Sequence, residues 1–168
     1  MKLTRPLVVL DLETTGVWIE KDKIIEIAMI KILPDKTKES FHMKINPGMP
    51  IPDRISDLIG ITNEDVAQAP IFADIAKDVI EFIKGADFAG FNIERFDLPL
   101  LRREMNDASI QFDWQDSKVY DAQKVYHLNE KRDLTAAFQF YCQKNLEGAH
   151  SAMVDTQATL EIIESQIQ

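Results

Sequence analysis

Four carboxylates and one imidazole carry the chemistry legible in this chain. The first two acids lie in Val8-Val9-Leu10-Asp11-Leu12-Glu13-Thr14-Thr15-Gly16, where an apolar run ends in charge. Strand side chains alternate between faces, so Asp11 and Glu13 point the same way, roughly 7 Å apart along the strand. Two acids crowded at the end of an apolar strand repel and are poorly solvated, and a divalent metal ion is the simplest counter-charge. A strand leaving the core into a solvated acidic turn explains this pair taken alone, so partners elsewhere decide. Asp97 follows Phe96 and precedes Leu98, Leu100 and Leu101; by itself it reads as a helix cap. Asp155 lies in Gly148-Ala149-His150-Ser151-Ala152-Met153-Val154-Asp155. Five helical residues turn through about 140°, so His150 can face Asp155 only by preceding the first turn, with Ser151 as cap. Alone, His150 reads as a surface imidazole.

Composition and charge bound the classes of partner. At 168 residues, 45% of them hydrophobic and 28% charged, the chain suits one globular domain with a substantial core. Its net charge of −9 argues against a broad basic footprint for nucleic acid but leaves room for a polyanion held through bound metal. The single cysteine, Cys142, excludes an intrachain disulfide and reads as helix packing. No apolar run reaches the length of a signal peptide or membrane span. The expectation is a soluble, cytoplasmic protein without a membrane partner.

These acids must be positioned by regular elements. Strands are predicted over 5–11, 24–32 and 40–45, joined by short polar turns as an antiparallel meander. Imperfect alternation over 24–32 is read as both faces being partly covered. A connector over 49–70 carries brief helices around 53–59 and 63–66. Apolar residues at 71, 72, 75, 79, 80, 82 and 83 predict a helix that stops at Gly85. A buried strand over 87–91 follows, with Asn92 as a cap candidate. The helix over 97–105 tolerates Pro99 only in its first turn, which puts Asp97 at a helix N-terminus. A short strand over 118–121, helical turns over 122–128, a helix over 134–144 capped by Asp133, and a last helix over 151–167 complete one α/β domain spanning 1–168.

The whole set resembles the DEDDh group of 3′→5′ exonucleases, the DnaQ-like family of the proofreading exonuclease subunit of bacterial replicative DNA polymerase. The resemblance rests on Asp11-Leu12-Glu13-Thr14-Thr15-Gly16, on Phe91-Asn92-Ile93-Glu94-Arg95-Phe96-Asp97, and on His150 through Asp155, with support from Ile45-Asn46-Pro47-Gly48 and Gly60-Ile61-Thr62. It implies a ribonuclease H-like fold, a mixed five-stranded sheet with helices on both faces. It also implies two divalent cations, Mg²⁺ with Mn²⁺ as substitute. Asp11, Glu13 and Asp155 would hold the first, while Asp11 bridges to a second held by Asp97. His150 would be the general base.

Thr14, Thr15 and Gly16 would seat the terminal nucleotide, with Val17 as a wedge beside its base and Asn92 and Phe96 as further substrate contacts. Trp18 reads either as part of that mouth or as a hinge of the core. Arg95, Arg102, Arg103, Lys118, Lys131 and Arg132 are candidate phosphate contacts or solvated faces. Phe91 departs from the histidine of many relatives. The expected reaction releases nucleoside 5′-monophosphates from single-stranded or frayed 3′ ends of DNA, in proofreading or repair. The alternatives are an RNA-trimming exoribonuclease of the same family and, from another class, a non-catalytic module that binds nucleic-acid ends. A polymerase or repair assembly is the implied protein partner; the lack of a tail after the last helix suggests a stand-alone enzyme or a part joined elsewhere. His150→Ala is expected to slow hydrolysis by about 10²–10⁴ without changing metal affinity. An unchanged single-turnover rate would remove His150 from its role.

Overall fold

The apolar run that begins the chain does not stop at its first acid. In the computed structural model, which describes residues 2–129, 133–149 and 151–167, β1 spans Leu7–Thr14 and contains both Asp11 and Glu13. Val8, Leu10 and Leu12 are buried, while the alternate residues Val9, Asp11 and Glu13 belong to the opposite face. Strand β1 outlasts the predicted 5–11 because pairing with β2 (Ile24–Ile32) continues through the acids, Asp11 opposite Ala28 and Glu13 opposite Glu26. Strand β3 (Lys38–Lys44) pairs antiparallel with β2 and completes the predicted meander, starting two residues earlier than expected.

The broken alternation of β2 has a local cause. Glu13 faces Glu26 but Thr14 faces Ile24, so Ile25 is the extra residue of a β-bulge. Ile24, Ile27 and Met29 join the main core, whereas Ile25 fills a separate cluster with Ile51, Ile61 and Val66. Helices α1 (Asp53–Ile59) and α2 (Asn63–Val66) close that cluster. Gly60 turns the chain between them with φ of 72°, and Thr62 and Asp65 form a reciprocal capping box.

The remaining strands run parallel to β1. Helix α3 (Phe72–Ile83) leads to β4 (Asp87–Gly90), and α4 (Asp97–Asp107) leads towards β5 (Val119–Asp121). The sheet order is β3-β2-β1-β4-β5, mixed and five-stranded as expected. Val8, Leu10 and Leu12 pack with Ile75, Val79 and Ile83 of α3 and with Leu98, Leu101 and Met105 of α4. Pro99 falls in the first turn of α4, where its missing N–H costs no helical bond.

The chain forms two compact units, one ending at Gln123 and the other beginning at Lys124. Helix α5 (Ala122–Asn129) runs across that boundary. In the second unit α6 (Leu134–Cys142) and α7 (Ala152–Ile167) bury Phe138, Ala158 and Ile162 between them. Asp133 caps α6 by accepting from the Ala136 N–H at 2.8 Å, as predicted. The helix ends at Cys142 rather than 144 because Gln143 turns left-handed, with φ of 56°. Half-buried Cys142 packs against the α6–α7 cluster. Among the described residues no helix is long and apolar enough to cross a membrane.

Gly90 marks where β4 must leave β1. A Cβ there would lie 2.8 Å from the Leu10 carbonyl oxygen and 2.9 Å from the Ile93 Cβ, so no side chain fits without moving backbone. Gly90→Ala is expected to lower stability by about 1–3 kcal/mol, read from the urea midpoint. An unchanged midpoint would contradict this close approach.

Candidate active site

Strand β4 pairs with β1 only from Leu7 to Val9. Beyond Gly90 the chain turns away, leaving the Leu12 N–H without a strand partner on that side. The Asp97 carboxylate accepts this N–H and its own. One side chain therefore joins the start of α4 to the acid-bearing end of β1. Asp97 is buried, as its apolar setting implies, and lies in the first turn of α4, where the helix dipole favours a carboxylate.

The acids feel one another. Burial lifts the Asp97 carboxyl to about 7; the Asp11 charge pushes the same way, the two N–H groups pull back, and Asp121 adds a smaller rise. Asp11 is accessible, yet the protein around it still raises its carboxyl, and Glu26 adds to that rise. Glu13 is raised by burial first, then by Asp11 and Glu26. Hard carboxylate oxygens raised by burial and by neighbouring negative charge fit a divalent cation chemically. Among the described residues, however, no three metal-ligating side chains close around one position.

Three further acids organise this end of the sheet, and their roles are not evident from sequence. Glu26 reaches the Asp11–Glu13 face through the bulged pairing and meets His42 Nε2 at 2.7 Å. Asp121 is buried at the end of β5, where its Oδ1 accepts from the N–H groups of Asn92 (2.9 Å) and Gln123 (3.0 Å), and its Oδ2 from that of Glu94 (3.4 Å). It therefore shapes the loop leading to Asp97. The signal for Asp121 was its place after a short apolar strand, the same signature as Asp11. Asp22 holds the loop after β1, accepting from the Thr15 hydroxyl at 2.9 Å and the Trp18 N–H at 2.8 Å.

The other expected contacts fall in varied places. Thr14 and Thr15 are buried; Thr14 donates to the Gly16 carbonyl, and the Thr15 N–H donates to the Lys23 carbonyl, so both support the loop from within. At Gly16 a Cβ would lie 2.5 Å from an Asp22 oxygen, so a larger residue would displace the carboxylate that holds this loop. Val17 is exposed, and so is Trp18, which excludes the core-hinge reading of that indole. Phe96 is half-buried against the core and is the N-cap residue of α4, so Asn92 is not its cap. Asn92 instead takes the left-handed corner after β4, with φ of 62°.

Arg103 is not a phosphate contact. Its guanidinium donates to the carbonyls of Ile19 (2.9 Å) and Asp22 and pairs with Glu104 and Asp107. Arg102 lies over the Trp114 ring. Asp155 is half-buried in the first turn of α7, in the second unit. Helix α7 starts at Ala152, beyond position 150, but His150 itself lies outside the described residues, as do Lys131 and Arg132.

A family model described as Exonuclease (RNase_T) matches residues 8–163. The chain belongs to this exonuclease family. A similar curated protein, the 3′-5′ exonuclease DinG of Staphylococcus epidermidis, is 28% identical over 158 residues, covering 92% of this chain. The chain spans 17% of that relative's length. Among solved structures, Escherichia coli exonuclease I in complex with a dT13 oligonucleotide has a TM-score of 0.66 at 18% identity, over 96% of this chain and 40% of its own. A zinc-bound form of its complex with single-stranded DNA has the same TM-score at 19% identity, over 96% and 41%. Both likenesses establish the fold, and the ribonuclease H-like expectation holds.

Repulsion and burial make the cation-free site pH-sensitive in a definite direction. A carboxyl raised to about 7 when folded, against 3.8 as its ordinary value, favours the fold while protonated. Its contribution is lost as pH rises between those values. Asp97→Asn in EDTA is expected to raise the melting temperature by a few degrees at pH 8, with the gain shrinking towards pH 4. An equal gain at both pH values would contradict the charge origin.

Proposed function

We propose that this chain is a metal-dependent 3′→5′ exonuclease domain that hydrolyses the terminal phosphodiester of a single strand. The observation that carries the proposal is geometric: the Asp97 carboxylate accepts the Leu12 N–H, between Asp11 and Glu13, so three acids from β1 and the start of α4 meet at one end of the sheet. Family membership supports the same reaction class. The activity of DinG and the single-stranded DNA held by exonuclease I favour a 3′ end and DNA.

In this reading Asp11, Glu13, Asp97 and Asp155 hold two divalent cations, Mg²⁺ or Mn²⁺. The bound cations supply electrostatic stabilisation to the attacking and departing oxygens of an in-line displacement. The chain's own residues do the rest. His150 takes a proton from the attacking water as general base. The new bond forms from that oxygen to phosphorus, the P–O3′ bond breaks, and a nucleoside 5′-monophosphate leaves. The loop following β1 seats the terminal nucleotide, and Asp121 holds the backbone that sets Asp97. Proofreading or repair is the setting this chemistry serves, with a polymerase or repair assembly as partner. Residues 1–168 act as one exonuclease domain in the cytoplasm.

Asp11→Ala and Asp155→Ala are expected to abolish release of 5′-mononucleotides from a labelled oligonucleotide in Mg²⁺, with the fold retained. EDTA should stop the wild-type reaction. Full activity in either variant would overturn the metal assignment. Parallel assays on DNA and RNA of equal sequence distinguish the two polymers.

A further inference from the structure

The loop 15–23 is built more rigidly than a strand connection requires. The Asp22 carboxylate holds the Thr15 hydroxyl and the Trp18 N–H, and the Lys23 N–H donates to the Thr15 hydroxyl oxygen at 3.0 Å. The Trp18 carbonyl accepts from the N–H groups of Lys21 and Asp22 at 2.9 and 2.8 Å. From α4, Arg103 grips the Ile19 and Asp22 carbonyls, and Lys23 Nζ pairs with Glu104 at 3.4 Å and Asp107 at 3.0 Å. Helix α4 thus carries Asp97 at its N-terminus and anchors this loop two to three turns later.

The same loop displays an unburied indole. Trp18 is 60% exposed beside exposed Val17, and the Lys21 ammonium lies 4.6 Å from the centre of the Trp18 ring. An indole on a flexible loop would lose entropy on binding. One on a braced backbone, with an ammonium over one face of its ring, offers its other face to a planar ligand at less entropic cost. Nucleobases are such ligands, stack without regard to sequence, and arrive with phosphates that a nearby ammonium can meet.

We propose that Trp18 is a base-stacking residue for the single strand and that Asp22 is the positioning residue that holds it. This inference rests on the exonuclease reading and adds to it the element that grips the base. Asp22 touches no substrate in this account; it acts through the Trp18 N–H and, by holding the Thr15 hydroxyl, through the loop beneath the indole.

The test uses the full chain carrying Trp114→Phe, so that Trp18 is the sole indole. Oligo-dT labelled at its 5′ end is titrated in Ca²⁺, with binding read by anisotropy of the label and stacking by Trp18 fluorescence. Bound oligonucleotide is expected to quench Trp18. In Mg²⁺, Trp18→Ala and Asp22→Ala are each expected to raise KM about tenfold with kcat within about twofold. The double variant should cost less than the product of the two single effects, because Asp22 acts in part through the indole. Asp22→Asn keeps one acceptor and should fall between wild type and Asp22→Ala, which covers the case in which the alanine variant folds poorly. Binding without quenching, an unchanged KM in Trp18→Ala, or fully additive effects would each overturn the inference while leaving the exonuclease reading intact. Absence of both binding and cleavage in wild type would instead overturn the exonuclease reading, and the inference with it.

Discussion

The crowding of carboxylates against a poorly solvated sheet end is the constraint around which this structure is arranged. Asp11 and Glu13 share a face of β1 because strands alternate, and Glu26 joins them across the bulge. Asp97 comes from a different element and is buried enough that its carboxyl rises to about 7. None of these placements favours the fold by itself. They persist because backbone groups fix them. The Leu12 N–H left open by the departure of β4 binds Asp97, and Asp121 takes three N–H groups of the flanking segments. On the proposed function, negative charge gathered in this way is the chain's demand for cations.

The sheet topology explains why the acids meet. β1 is central, flanked by antiparallel β2 and parallel β4, and its C-terminal end emerges where β4 has already turned away at Gly90. The same end of β5 delivers Asp121. Parallel strands align their C-terminal ends, so acids placed just there in sequence arrive together in space. Helix α4 then couples the site to its mouth, since Asp97 and Arg103 lie on one rigid element.

Much of this was legible in the sequence. The elements over 24–32, 53–59 and 63–66 matched the structure at both ends; Pro52 and Gly60 bound the second, and the Thr62–Asp65 capping box starts the third. Asp11 and Glu13 were legible through alternation, and Asp97 through Pro99, which only a first turn tolerates. What stayed hidden depended on long-range register. Nothing local marks Ile25 as a bulge, so neither the satellite core nor the nearness of Glu26 to Glu13 could be read. Arg103 resembled a surface base because its partners, the carbonyls of Ile19 and Asp22, lie more than eighty positions away. Asn92 resembled a cap because its positive φ has no sequence mark distinct from capping.

The central claim is that these acids form a cation site whose charge is held back by protons. Calorimetric titration of Mn²⁺ into the cation-free protein, in buffers of different ionisation enthalpy, tests it most directly. At pH 6 Asp97 is largely protonated, so binding is expected to release close to one proton; at pH 8.5 the release should fall towards zero. Saturable binding with no proton release at pH 6, or no binding at either pH, would contradict the account.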